Sequence, residues 1–537
     1  LQIALNFSMQ VDFADVKNAF CQSDKMSRPD GPLYAEPCEG IGLATRLLIE
    51  LVIPVYGLDD APRSWRETVL TFFYSILFKK TLMEPCWLIL RRGSVLVAMV
   101  FIEVDDFLIA TTPEFRTELK DKLNLRFDFG KWECQEADYA GRHVKVLPDR
   151  VEVDQEKYIL EQIHPVPLSR GRRANKKSEL QEAEFVNHRS TLYKVNWVAK
   201  ETRPEASGMV SILAARLHEA TVEDVILLNK MVGHFRSTAK RPLIIWKYDP
   251  YSMAFLVASD AGGVGSLEDT SKSPTDDMIQ DSTIGAWTAL SCGQLPVGCK
   301  RFRASPMSWR VAKLKRRVAS TLGGEALSLS QAVAEVEWLQ VLYRDVVFGD
   351  VDLTDWQNST TPFISVLGRG CALAERQPQA HVIDAKSVYD VVQKESHGSK
   401  QDRRTALELA IVVEAMRKAK AGIRLAPHSK MIVDMVTKAD IDKGNDALLS
   451  LLKTGAMQLV EEKTELDNRK TDATLKLRSK AHSKLRLSEE SQQVDYAAFE
   501  LIRSFWISMM AEGVKPEELS EMIALSMTSP KTWALFS

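Results

Sequence analysis

The run VFIEVDDFLIA, Val100 to Ala110, sets Asp105 and Asp106 side by side in the middle of an apolar, β-prone stretch. Asp is depleted in strands and two adjacent carboxylates repel each other, so the chain must either turn there or hold something positive. SVLVAMVFIEV followed by FLIA has the form of two strands joined at a tight turn, a β-hairpin tipped by the two aspartates. A turn alone explains the pair; a metal site needs a third carboxylate. VDFADVKNAF supplies one, Asp15, at the end of an alternating strand. Carboxylates gathered in this way hold two Mg²⁺ ions about 4 Å apart, which activate a 3′-hydroxyl and stabilise the leaving pyrophosphate in nucleotidyl transfer.

A second set of acids follows the same pattern of strands that end in a carboxylate. MAFLVASDAGGVGS reads as a strand ending in Asp260, and TIGAWTALS and PMSWRVAKLK read as two further strands that pair with it as a meander. GGEALSLSQAVAEVEWLQVLY carries Leu329, Ala332, Val333, Val336, Leu339 and Tyr343 at helical spacing. Glu325 stands four residues before Leu329 on that face, where a charged group needs a partner or an ion. QAHVID ends in Asp384 and runs into the helix AKSVYDVVQ; the helix DRRTALELAIVVEAMRKAKA, the strand IRLAP and then MIVDMVTKAD, with Asp434, complete the series. The order expected is three strands, helix, strand, helix, strand, helix.

Composition bounds the remaining choices. The 537 residues exceed what one core usually serves, and 45% hydrophobic with 26% charged residues is ordinary for a folded protein of two or three domains. Seventy basic residues balance 72 acidic ones, so any grip on nucleic acid must come from local patches such as KLKRR, Lys313 to Arg317, or SRGRRANKK. Each such segment is more often just a solvated face. The seven cysteines are scattered without zinc spacing, which favours a reducing compartment. No apolar run of about 18 residues occurs, so no membrane span is expected. GGVG at Gly262 lacks the G-x-G-x-x-G spacing of a dinucleotide site, and no serine or cysteine nucleophile pattern stands out. The chain starts at Leu1 in mid-pattern, which reads as a fragment with an upstream part missing.

From Leu1 to about Ile163, apolar β-like runs (LQIALNF, LLIELVIPVYGL, SVLVAMVFIEV) alternate with helical stretches, which predicts an α+β unit. PVPLSRGRRANKK reads as a basic surface linker, and about Asn187 to Lys240 is helical in period. A charge-rich tail then leads to two short helices around YAAFELIRSFWISMM and KPEELSEMIALSM.

DVKNAF, VYGLDDAPRSW and VDDFLIA, in this order, resemble the polymerase motifs of copia-type (Pseudoviridae) retrotransposon reverse transcriptases. Tyr56, Gly57, Leu58, Ala61, Pro62, Arg63 and Trp65 all match at the spacing of the middle motif. DYAGRHV, QEKYILEQI and HRSTLYKVNWVAKETRPEAS, with Arg203 and Pro204 in the family's Thr-Arg-Pro, continue the resemblance, which reaches Lys438. It implies a partial reverse transcriptase palm over 1–165, a linker and thumb or connection region over 166–250, a ribonuclease H-like domain over 251–440 and a charged helical tail over 441–537. It further implies that Asp15, Asp105 and Asp106 are polymerase metal ligands and that Asp260, Glu325, Asp384 and Asp434 form a two-metal ribonuclease H site. Phe20 falls where a ribose 2′-position gate is expected, Gly57 lies against nucleotide or template, and His428 takes the place of a mobile histidine. The implied cofactor is magnesium, with Mn²⁺ as a substitute. The implied partners are an RNA template, a DNA primer, RNA:DNA hybrid, dNTPs and other Pol parts such as integrase and protease. The implied compartment is the cytoplasm, in a virus-like particle, or the nucleus, and not the secretory route.

Three departures bear on activity. Glu103 replaces the family's aromatic residue and, two residues from Asp105, is expected on the same strand face. STLGGE replaces Ser-Thr-Glu-Ala-Glu, so Glu325 is kept while two glycines are expected to loosen the helix start. The family's fingers region precedes the first Asp motif, so polymerisation by this chain alone is not expected. The readings left open are an RNA-directed DNA polymerase with ribonuclease H activity, an inactive remnant of the same origin, and a nucleic-acid binding module of that fold.

Overall fold

The computed structural model describes residues 1–475 except 27, 29–30, 39, 41, 43–46, 252, 264–282, 294–300, 317, 319, 350, 356–378, 395–402, 420, 439, 444–445, 461–462 and 473. Two compact units result, Leu1–Glu462 and Lys463–Ser537. In the second, only 463–472 and 474–475 are described, and they are helical. The two expected tail helices, Cys299, Cys371 and Arg317 lie outside the described residues.

The first unit is α+β. Its chain begins α1 (Gln2–Asn6), β1 (Gln10–Val16), α2 (Ala61–Ser75), β2 (Lys79–Lys80), β3 (Trp87–Arg92), β4 (Val95–Glu103), β5 (Asp106–Thr111), α3 (Pro113–Arg126) and β6 (Phe129–Cys134). These strands form an antiparallel sheet in the order β2-β3-β4-β5-β1-β6. Proline sits in the first turn of α2 and of α3, where its missing N–H costs nothing. Buried residues then recur every fourth position, Ala61, Trp65, Val69 and Phe73 on α2, Phe115, Leu119 and Leu123 on α3. Those stripes pack on one sheet face against Ala14, Val16, Val100, Phe107 and Ile109, and each fully buried Phe or Leu contributes about 1.5–3 kcal/mol.

A second antiparallel sheet, β7 (Glu136–Tyr139), β8 (Arg142–Val146), β9 (Arg150–Asp154) and β10 (Leu243–Trp246), has the order β10-β9-β8-β7. Between β9 and β10 run the helices α4 (Glu156–Gln162), α5 (Arg170–Ala174), α6 (Glu182–Glu201), α7 (Ser207–Ala215) and α8 (Val222–Ser237), with a core of their own that includes Leu192, Val198, Leu213, Leu228 and Phe235.

The third sheet comprises β11 (Ala254–Gly263), β12 (Thr283–Cys292), β13 (Arg301–Lys313), β14 (Gln379–Ile383), β15 (Gly422–Leu425) and β16 (Ala456–Gln458), in the order β15-β14-β11-β12-β13-β16. β11, β12 and β13 are the expected antiparallel meander, and β14 and β15 add in parallel beside β11. The helices are α9 (Thr321–Val347), α10 (Lys386–Gln393), α11 (Arg403–Lys418) and α12 (Ala447–Thr454). Leu329, Ala332, Val333, Val336, Leu339 and Tyr343 of α9 are buried, as their spacing predicts.

Several expectations are corrected. LQIALNF is not a strand but the helix α1: Gln2 and Asn6, one turn apart, bond through their side chains at 2.8 Å and reach Trp246 O and Tyr248 N, each at 2.9 Å. That set of partners needs helical spacing. LLIELVIPVYGL keeps only the two-residue strand Ile49–Glu50, since Pro54 and Gly57 interrupt the run. PVPLSRGRRANKK contains the short helix α5, capped by Ser169. MIVDMVTKAD forms no α-helix; Met435–Thr437 is a single 3₁₀ turn, and 431–437 are buried throughout, which leaves no polar face for an amphipathic helix. Gly323 and Gly324 do not loosen the start of α9: they lie inside it, Ser320 Oγ accepts from Gly323 N at 3.1 Å, and a Cβ on Gly323 would lie 2.9 Å from Thr405 Oγ1 of α11. Glycine there allows the two helices to approach.

Candidate metal centre

β11 and β14 are adjacent and parallel, with Ala258 level with Val382; the same register two residues on sets Asp260 level with Asp384 at one sheet edge. The first turns of α9 bring Glu325 to that edge. Ser328, one turn further, fastens the helix there, its Oγ 2.8 Å from Asp260 O and 2.9 Å from Ala286 O. A ligand oxygen from each of Asp260, Glu325 and Asp384 lies within 4.8 Å of the other two, the only such trio among the described residues.

Burial, and then Asp384, push the Asp260 carboxyl above its ordinary range; a hydrogen bond from Thr437 and the charge of Lys438 act against this. Glu325 is pushed up strongly by burial, then by Asp260 and Asp384. Crowded, buried carboxylates shifted upward in this way mark a site short of positive charge. Three hard oxygen donors suit Mg²⁺ or Mn²⁺, so the residues fit the implied ion.

Asp434 stands beside the trio and not in it. It is buried, with Lys438 Nζ 3.5 Å and His428 Nε2 3.4 Å from its Oδ1. The other ring nitrogen of His428 lies 3.5 Å from Asp384 Oδ2, so this exposed histidine bridges two of the four expected acids. Thr437 donates to Asp260 Oδ2 at 3.1 Å. Sequence reasoning gave no role to Ser328, and Thr437 entered it only as part of the run MIVDMVTKAD.

At the first sheet, the hairpin expected from VDDFLIA is present: Glu103 pairs with Asp106, and Val104 and Asp105 form the turn. β1 runs along β5 with Asp15 opposite Asp106, so all three aspartates reach one end of the sheet. Period two sends Asp12, Ala14 and Val16 toward the helices and Asp15 to the other face. Asp12 is accordingly a structural acid, buried and gripped by both arms of Arg116 at 2.6 and 2.7 Å. Glu103 does not share a strand face with Asp105, as expected from spacing; the turn intervenes and Glu103 lies across from Asp106. The Asp106 carboxyl is raised by burial, then by Asp105, Asp15 and Glu103. Asp15, Asp105 and Asp106 do not form a trio as tight as the one at Asp260.

Phe20 and Tyr56 pack together with ring centroids 4.8 Å apart. The Tyr56 phenol is raised by burial and then by Asp105, which places this aromatic pair beside the hairpin. Gly57 takes φ +97°, open to solvent on its Cβ side, and Pro62 is exposed on the first turn of α2. Arg203 is buried against Glu205 at 2.8 Å and over the Phe235 ring, a structural position. Of the basic segment SRGRRANKK, Arg172 is engaged with Glu184 through 2.7 and 3.0 Å contacts.

No family model matches the chain. Three curated proteins similar to it are Pol polyproteins of copia-type retrotransposons. They include the retrovirus-related Pol polyproteins from transposons RE1 and RE2 of Arabidopsis thaliana, 25% and 24% identical over 363 and 364 residues. The corresponding polyprotein from transposon TNT 1-94 of Nicotiana tabacum is 24% identical over 367 residues. Each match takes in 64% of this chain and 22% to 25% of the relative, so the chain spans a quarter or less of the length of these polyproteins. The similarity supports an origin in a retroelement polyprotein. Among the described residues no helix is long and apolar enough to cross a membrane.

Proposed function

We propose that residues 251–440 act as a ribonuclease H-like domain that cleaves the RNA strand of an RNA:DNA hybrid, within a copia-type Pol polyprotein whose reverse transcriptase palm occupies 1–165. The observation that carries this reading is the convergence of Asp260, Glu325 and Asp384 within 4.8 Å. These three would hold the divalent ions, which when bound supply an activated water and neutralise charge at the scissile phosphate. Asp260 and Asp384 come from neighbouring parallel strands and are rigidly spaced, while Glu325 arrives from α9, fixed by Ser328. His428, exposed and within reach of both Asp384 and Asp434, would be the mobile histidine that the resemblance implies.

A second reading concerns the first sheet alone. Glu103 across from Asp106, and the wider spread of Asp15, Asp105 and Asp106, favour a role for 1–165 in holding template and primer over polymerisation by this chain itself. The test uses the full chain with a labelled hybrid. Mg²⁺-dependent cleavage that stops with EDTA and in Asp260→Asn and Asp384→Asn supports the nuclease reading; hybrid binding that survives EDTA with no cleavage supports binding alone.

A further inference from the structure

The turn at Met435–Thr437 is wedged between two glycines. A Cβ on Gly208, in the first turn of α7, would overlap the backbone O and C of Val436 and lie 2.9 Å from its Cα. A Cβ on Gly262 of β11 would lie 2.9 Å from Thr437 Cβ and 3.3 Å from Thr437 O. Backbone atoms cannot rotate aside, so the turn sits this close only because both neighbours lack a side chain. α7 is itself anchored at its start by the buried Arg203–Glu205 pair, to which Arg241 and His234 also reach.

Held on both sides, Thr437 has two acceptors for its single hydroxyl proton, Asp260 Oδ2 at 3.1 Å and Asp434 O at 2.9 Å. An ionised carboxylate is the stronger acceptor of the two. From this geometry we infer that Thr437 is a positioning residue for the trio: its hydroxyl fixes the rotation of the Asp260 carboxylate so that the oxygens of Asp260, Glu325 and Asp384 converge on one cation. Gly208 and Gly262 set the depth of the turn that carries it. The inference rests on the nuclease reading above. It links the helical segment around Thr-Arg-Pro to the metal site by contact alone, with α7 as the connecting piece.

The test is a Mn²⁺ titration of the full chain, followed by electron paramagnetic resonance, in the wild type and in Asp260→Asn, Thr437→Val and Thr437→Ser. Valine keeps the shape and removes the donor, whereas serine keeps the donor. The expected result is binding that is lost in Asp260→Asn, weakened about tenfold or more in Thr437→Val, and restored in Thr437→Ser. Hybrid cleavage should then show a lower kcat in Thr437→Val with KM for the hybrid unchanged, and recover at saturating Mn²⁺. Thr437→Val that binds Mn²⁺ as tightly as the wild type overturns the inference and leaves the nuclease reading standing. Asp260→Asn that binds as tightly as the wild type removes the ion from the trio, and both readings fall together.

Discussion

The indole Nε1–H of Trp65 donates to the main-chain carbonyl of Val104 at 2.6 Å, tying helix α2 to the turn between Glu103 and Asp106. Val104 takes φ +56°, a left-handed conformation that a β-branched residue adopts only under constraint. Trp65 supplies that constraint, because its ring is buried and cannot shift without opening the α2–sheet core. Trp65→Phe keeps most of the ring volume and removes the donor. Urea denaturation of the full chain should show a loss of about 1 kcal/mol.

Relief of the strained position should act in the opposite direction. Val104 is half exposed, so Val104→Gly sacrifices little packing, while residues held in left-handed conformations store about 1–3 kcal/mol. A higher urea midpoint is expected. A lower one would mean that the Val104 side chain contributes more than its backbone costs.

Glu205 is buried among Arg203, Arg241 and His234. Burial alone would raise its carboxyl, yet Arg203, then His234 and Arg241, outweigh that and hold it well below the usual 4.5. A depressed acid stabilises the fold above its unfolded pKa, and that contribution disappears as pH falls through the folded value. Glu205→Gln leaves the buried Arg203 guanidinium without its counter-charge, for which a loss of about 3–5 kcal/mol is expected by denaturant titration near neutral pH. The acid-side unfolding midpoint of the variant should also depend less on pH.

Much of this architecture could be read from the chain, and the reasons are specific. The strand carrying Asp260, which runs on to Gly263 beyond the end expected for it, the strand that stops just before Asp384, and the heptad-like face of α9 announce themselves through apolar periodicity interrupted by one acid. LQIALNF misleads because a short apolar run has no period long enough to separate helix from strand, and its helicity is decided by Gln2 finding partners in the second and third sheets and Asn6 in the segment between them. Glu103 misleads because spacing of two means a shared face only along an unbroken strand, and the turn begins one residue later. The distinction between Asp12 and Asp15 lies in which face meets α3, a fact of packing that no local pattern contains.

Arg91 of β3 caps the far end of the helix that carries Glu325. Its guanidinium donates to the carbonyls of Asp345 at 3.3 Å, Val346, and Val347 at 3.0 Å, the last three residues of α9. A cation at a helix C-terminus meets carbonyls that have no partner within the helix. Arg91→Ala should cost about 1–3 kcal/mol and speed amide exchange in the neighbouring loop and the last turn of α9, as read by hydrogen-exchange mass spectrometry. Unchanged exchange there would show that water replaces the guanidinium.

The trio also makes the metal-free protein sensitive to pH in the direction opposite to Glu205. Asp260 and Glu325 hold their protons more tightly folded than unfolded, so their contribution is full below the usual carboxylate values of 3.8 and 4.5 and is lost as pH rises through the raised ones. With EDTA present, the urea midpoint should fall between about pH 4 and about pH 9, and Mg²⁺ or Glu325→Gln should flatten that slope.

The central claim is that Asp260, Glu325 and Asp384 together hold a divalent cation. The most direct measurement is anomalous diffraction from crystals of the full chain grown with Mn²⁺, compared with crystals of Asp384→Asn. The account predicts a Mn²⁺ peak among the three carboxylates at roughly 2.0–2.3 Å from their oxygens, absent in the variant. Well-ordered carboxylates with no peak between them, at a Mn²⁺ concentration that supports hybrid cleavage in solution, would contradict it.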